Sequence, residues 1–239
     1  MTTDDATSDL NAVIDLLWSP APTPRRGPKR GLDLPDIATA GITIADTDNL
    51  GAVTMQRVAG ALGVTKMALY RYVRGKTELV ALMTDVALGE PVTLDTNADW
   101  RTALSAWAHA MIGRFGQHPW TQETTTGTRA IGPNEIGWLE QALAALDGTG
   151  LTGSEKLDVA ATLAGHARAI AQQASASVGI SPEQGLHTIF AMVLRDHAAQ
   201  FPALTAALDS GTDDGRDQAF DFGLDRILDG IELLLKQRR

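Results

Sequence analysis

Apolar residues along this chain recur every three or four positions, and no segment alternates apolar and polar at a period of two; the pattern predicts helices throughout. Residues 9–18 (DLNAVIDLLW) place Leu10, Val13, Ile14 and Leu17 at helical spacing. Residues 34–48 set Ile37, Ala40 and Ile44 on one side. Residues 54–63 (TMQRVAGALG) open on Thr54, a suitable N-cap, and stop at Gly63, with Val58, Ala59 and Leu62 facing inward. After a two-residue break Thr65 can cap a helix over KMALYRYV, with Leu69 and Tyr72 as its inward candidates. A longer helix follows over residues 76–88, apolar at Leu79, Leu82, Met83 and Val86.

The rest of the chain reads the same way. Residues 98–117 carry Trp100, Leu104, Trp107, Met111 and Phe115 as one stripe, and His118-Pro119 ends it. Residues 133–146 begin with proline in the first turn and end before Asp147-Gly148. TGSE at 152–155 has the spacing of a capping box and opens a long alanine-rich helix to about residue 176. SPEQ at 181–184 is a second such box, opening a helix to about residue 200. A last helix over residues 216–236 shows Phe220, Leu224, Ile227, Leu228, Ile231 and Leu234/Leu235. The fold class is all-α.

Composition narrows the function classes. The 239 residues are 44% hydrophobic, enough for a sizeable core. Cysteine is absent, which excludes disulfides, thiolate metal ligands and cysteine nucleophiles. The acidic start, MTTDDATSDL, has no basic region leading into an apolar run, and no stretch approaches the ~18 apolar residues of a membrane span. A cytoplasmic protein with no membrane partner is expected. The five histidines show no metal-ligand spacing, and no phosphate loop, dinucleotide fingerprint or nucleophile elbow stands out. No metal, cofactor or catalytic residue is predicted.

Charge is more informative. The chain carries a net -9, yet residues 24–80 hold nine Lys/Arg against five Asp/Glu, whereas residues 81–239 hold eleven against twenty. A basic module on an acidic body suggests that the module alone meets an anionic partner, and that the body is repelled by it. Three regions follow: residues 1–31, a flexible extension ending in a proline-spaced basic arm (Arg25, Arg26, Lys29, Arg30); residues 32–80, a three-helix module; and residues 81–239, a larger helical body.

Within the module two short helices are joined by a tight turn at Gly63-Val64. That is the arrangement of a helix-turn-helix, whose second helix enters the DNA major groove while the first crosses the backbone. Thr65 and Lys66 stand at the N-terminus of the second helix, and Lys76 opens the next one, where its ammonium and free backbone N–H groups can both meet phosphate. Taken singly, Lys66, Arg71 and Lys76 also read as solvated surface charges.

The stretch TMQRVAGALGVTKMALYRYVRGKTELVALM resembles the tetracycline-repressor (TetR) family of transcription regulators, in Ala59-Gly60-Ala61-Leu62-Gly63-Val64, in Leu69-Tyr70-Arg71-Tyr72-Val73, and in Lys76 with Leu79. Trp100-Arg101, His118-Pro119, Gly132-Pro133 and Gly150-Leu151-Thr152 are similar to the ligand-binding domain of the tetracycline repressor itself. The resemblance implies a homodimeric regulator, a repressor released from a palindromic double-stranded operator by a small-molecule effector. Its groove-facing residues would be Thr54, Met55 and Gln56, then Thr65, Lys66, Met67, Ala68, Tyr70, Arg71 and Tyr72, followed by Lys76. Tyr72 stands where the family has His or Phe, and Arg71 where members vary, so the operator sequence does not transfer. The drug-bound magnesium of the tetracycline repressor does not carry over either.

In the body, Trp107, Met111, Phe115, Trp120 and Trp138 are candidates to line an effector pocket, with His109, His166 and Arg168 as its polar groups. Each also reads as core or as a satisfied structural group. The helices near 152–176 and 216–236 are the candidate dimer interface. A DNA-binding architectural protein without an effector is the alternative, and a helical enzyme a remoter one.

Overall fold

The computed structural model describes residues 3–19, 32–95, 97–176, 182–210 and 219–238. All regular structure among them is helical. The basic arm (Arg25, Arg26, Lys29, Arg30) and Ser181 of the second capping box lie outside the described residues.

Five helices surround the first core: α1 (Thr3–Trp18), α2 (Leu34–Asp48), α3 (Met55–Ala61), α4 (Lys66–Leu69) and α5 (Lys76–Leu88). Ile37, Val53, Val58, Leu69, Val73, Leu79 and Met83 are fully buried at its centre. The helix predicted within the extension is docked here, with Val13 and Leu17 of α1 buried in the same cluster. It begins earlier than residue 9. The Trp18 indole donates to the Ile131 carbonyl at 3.0 Å, so α1 also touches the body.

The body comprises α6 (Trp100–Gln117), α7 (Thr121–Thr124), α8 (Pro133–Ala145), α9 (Gly153–Ala176), α10 (Pro182–His197), α11 (Pro202–Asp209) and α12 (Ala219–Gln237). Its core joins Leu104, Trp107, Phe115, Trp138, Leu146, Leu163, Leu224 and Leu228 from α6, α8, α9 and α12. The indoles of Trp107 and Trp138 meet edge to face at 6.0 Å. Their N–H groups donate to the Trp138 and Gly89 carbonyls, at 2.9 and 3.0 Å, so neither buried donor is orphaned. The capping box at α9 is formed: Glu155 accepts from the Thr152 N–H at 2.8 Å, and Thr152 accepts from the Glu155 N–H at 3.3 Å. No described helix is long and apolar enough to cross a membrane.

Candidate nucleic-acid interface and its link to the body

The turn between α3 and α4 is built by three local devices. Thr54 caps α3 by accepting the Arg57 N–H at 3.1 Å. Gly63 takes φ 65, in the left-handed region, and its N–H reaches the Gly60 carbonyl while that of Val64 reaches Ala59. This is a Schellman stop, and a side chain at Gly63 would be strained. Thr65 then caps α4 by accepting the Ala68 N–H at 3.2 Å. The Thr54 and Thr65 hydroxyls thus act as acceptors inside the protein and keep their protons free to donate to phosphate.

α4 is shorter than its sequence pattern suggests. After Leu69 the ladder tightens, with Arg71 and Tyr72 donating three residues back, to Ala68 and Leu69. Leu69 and Val73 are the buried anchors, and Tyr72 is exposed rather than packed inward. The outward face therefore presents Lys66, Met67, Tyr70, Arg71 and Tyr72 together, with Met67 73% exposed. The Lys66 ammonium stands 5.5 Å from the centre of the Tyr70 ring. Gln56 is exposed and Ala68 half-buried. No side chain caps α5, and Lys76 at its first position lies 3.5 Å from the Leu50 carbonyl. Met55 does not join this face. It is 7% exposed, because positions 55, 58 and 59 share the inner side of α3.

Two carboxylates of the head, Asp46 and Asp85, tie it to the body, alongside the Trp18–Ile131 and Thr84–Thr124 hydrogen bonds. Asp46 of α2 accepts the Trp120 indole N–H at 2.7 Å, and its two carboxylate oxygens each lie 3.0 Å from Nδ1 of buried His118. At the other end of the seam Asp85 of α5 accepts the N–H groups of Asn134 and Glu135, at 3.0 and 3.2 Å. It thereby caps α8, which has no side-chain cap of its own. Burial pushes the Asp85 carboxyl above its ordinary range, and the Glu135 and Asn134 N–H bonds oppose the shift. A side chain at Gly132 would overlap this carboxylate.

The effector candidates separate. Trp107, Met111, Phe115 and Trp138 are packed in the body core. Trp120 packs in the first core and serves the seam, where it also lines the cavity beside Asp46. His109 is an exposed group paired with Asp221 at 2.8 Å, so it does not sit inside a pocket. His166 stacks on Phe220 at 5.4 Å, and its Nε2 lies 2.9 Å from the Phe220 carbonyl. Arg168 is the unsatisfied member: its Nε is buried without a partner, 5.8 Å separates its guanidinium from the Phe115 ring, and it makes no hydrogen bond or ion pair with any described residue. Sequence reasoning missed Asp85, Arg129 and Glu135; a lone acid among Leu82, Met83 and Val86 was the available signal for the first. Three surface cavities of about 730, 580 and 660 Å³ lie beside Trp100, beside Asp46 and beneath α1, and none of the three is lined by Trp107, Phe115 or Arg168.

The family profile described as bacterial regulatory proteins, tetR family, matches residues 37–83, and that described as tetracyclin repressor-like, C-terminal domain, matches residues 92–235. The chain belongs to the TetR family. It is 32% identical to the HTH-type transcriptional repressor DrrR1 of Streptomyces coeruleorubidus, over all of this chain and 91% of that one. An HTH-type transcriptional regulator of Saccharopolyspora erythraea is 25% identical over 97% of each. Apo ActR of Streptomyces coelicolor shares the fold at a TM-score of 0.76 and 22% identity, over 88% of this chain and all of that one; ActR is also known in complex with actinorhodin. The TetR-family head is thus a DNA-binding element, and the protein a transcription regulator.

Proposed function

We propose that this TetR-family regulator is a cytoplasmic, homodimeric repressor that leaves a palindromic operator when a small molecule binds its helical body. The observation that carries the reading is the outward face of α4 and the start of α5. Lys66, Met67, Tyr70, Arg71, Tyr72 and Lys76 project from a head whose own core is complete, on a chain that is otherwise acidic. Thr54, Gln56 and Thr65 border that face, and the arm at 25–30 would add phosphate contacts. A division into extension, head and body, at residues 31 and 80, fits this reading.

Pairing is supported by exposed apolar side chains on the outer helices: Leu157 of α9, Ile189, Met192 and Val193 of α10, and Phe222 and Leu233 of α12. Two heads are needed to span half-sites about one DNA turn apart. The ActR complex is a precedent for a small molecule bound by this fold, without indicating which molecule acts here.

The test is a genome-wide footprint of the purified protein, repeated with Tyr70→Ala and Lys76→Ala. The expected result is a discrete palindromic site, lost in the variants. Absence of any discrete site at low salt would overturn the reading. Sedimentation at micromolar concentration should show a dimer; a monomer would remove the pairing.

A further inference from the structure

The cavity of about 660 Å³ beneath α1 is walled by all three parts of the chain. Leu10 and Val13 of the extension, Val80 and Ala81 of α5, and Ala130 of the body give it an aliphatic floor. Its volume falls in the range that holds drug-sized ligands. The cavity beside Trp100 is lined by the body alone, and the one beside Asp46 meets the end of α2 and the turn after it. Of the three, only the cavity beneath α1 reaches Lys76 and Thr77 in the first turn of α5, on the face turned to DNA.

The polar groups of this lining are arranged to accept hydrogen bonds. The Thr84 and Thr124 hydroxyls meet across the seam at 2.8 Å; Thr84 also reaches the Val80 carbonyl at 2.8 Å, and Thr124 the Thr121 carbonyl at 3.4 Å. Each hydroxyl has one proton, so both protons are used inside the protein while lone pairs remain. Thr126 likewise donates to the Glu123 carbonyl at 2.8 Å. Arg129 is committed to Glu135 and to the Ala130 carbonyl. Asp9 and Glu123 add two carboxylates, which only accept, and Lys76 offsets one of their charges.

We propose that the cavity beneath α1 is the effector site of this repressor, and that it takes an uncharged, largely apolar molecule that donates hydrogen bonds through hydroxyl groups. This rests on the reading that a small molecule releases the protein from DNA, and it places that molecule at the joint of extension, head and body. An occupant touches the first turn of α5, which the DNA-bound state needs for phosphate, so ligand and DNA select different positions of that turn.

The experiment uses the full chain, which has no cysteine of its own. Ala81→Cys puts one thiol in the cavity, and N-phenylmaleimide added to the folded protein then makes a covalent occupant. Gln117→Cys, at the exposed end of α6, is the labelled control. The probes are bisphenol A, an uncharged diphenol, and its dimethyl ether, which cannot donate. In equilibrium titrations bisphenol A should bind wild type, and the ether should bind roughly fivefold more weakly or worse. Labelled Ala81→Cys should lose bisphenol A binding. It should also hold the operator found by the footprint about tenfold more weakly, a usual size for coupling between two sites. Labelled Gln117→Cys should match wild type in both respects. Binding of neither probe, equal binding of the two, or a thiol that does not react would each overturn the proposal. So would bisphenol A binding that survives the label at position 81, or an operator affinity that the label leaves unchanged. None of these outcomes touches the repressor reading, which the footprint of the unlabelled chain tests separately.

Discussion

The indole of Trp120 donates a 2.7 Å hydrogen bond to Asp46, tying the chain just after α6 to helix α2 of the DNA-reading head. His118 reaches the same carboxylate. Trp120 packs in the head's core although it lies far beyond the head in sequence, so α6 and α2 cannot move independently without breaking a charge-assisted bond. Trp120→Phe keeps the ring and removes the donor. It should cost about 1.5–3 kcal/mol of stability, the range for a hydrogen bond to a charged group. A double-mutant cycle with Asp46→Ala should give a coupling of about 0.5–3 kcal/mol. Strict additivity in denaturant titrations would show that the contact carries no energy.

The DNA face makes a salt-dependence prediction. If Lys76 neutralises one phosphate, Lys76→Ala should lower the log–log slope of affinity against salt by about 0.9, with little change in sequence preference. Met67→Ala should behave in the opposite way: an exposed apolar side chain beside Lys66 can read thymine methyls, so its loss should relax preference and leave the slope intact. Binding isotherms at several salt concentrations on operator and scrambled DNA distinguish the two.

At the other contact Gly132 is predicted to be intolerant of substitution. A methyl group there would overlap the Asp85 carboxylate, so Gly132→Ala should destabilise by about 1–3 kcal/mol through overpacking. In an Asp85→Ala background the same change should cost much less. Equal costs in both backgrounds, measured by urea unfolding, would mean that the clash is relieved elsewhere.

Acid stability should depend on Glu155. The hydrogen bond from Arg238, with further ones from Thr152, lowers its carboxyl from 4.5 to about 2. A depressed carboxyl stabilises the fold above its unfolded value, and that contribution is lost as pH falls from 4.5 toward 2. Glu155→Gln should therefore unfold at a lower temperature than wild type at neutral pH, and the gap should close across that window. A gap that stays constant down to pH 2 would assign the effect to something other than the charge.

Much of this architecture is legible in the sequence because it is written in local signals. Thr54, Gly63 and Thr65 act within a few residues of themselves, and the Thr152–Glu155 box is formed as its spacing indicates. The short helix α7 is not legible. Its TQET carries no periodicity, and it is held by buried Thr121 and Gln122. α11 follows a restart at Phe201-Pro202, next to where the preceding helix was expected to finish. The site residues fail where distance in sequence matters. Trp120 looks like its neighbours in the α6 stripe until α2 supplies a carboxylate, and Asp85 gains its role from an α8 terminus that lies 49 residues on. Arg129 is an ordinary loop cation until Glu135 pairs with it at the start of α8.

Four of the five tryptophans sort by position into an optical reporter. Trp107 and Trp138 sit deep in the body, whereas Trp120 and Trp18 stand on the seam and donate across it. Any rotation of the head changes the polarity around the two seam indoles first. Their emission should shift to the red while the interior pair stays unchanged, so the native chain can display its own conformational response without an attached dye.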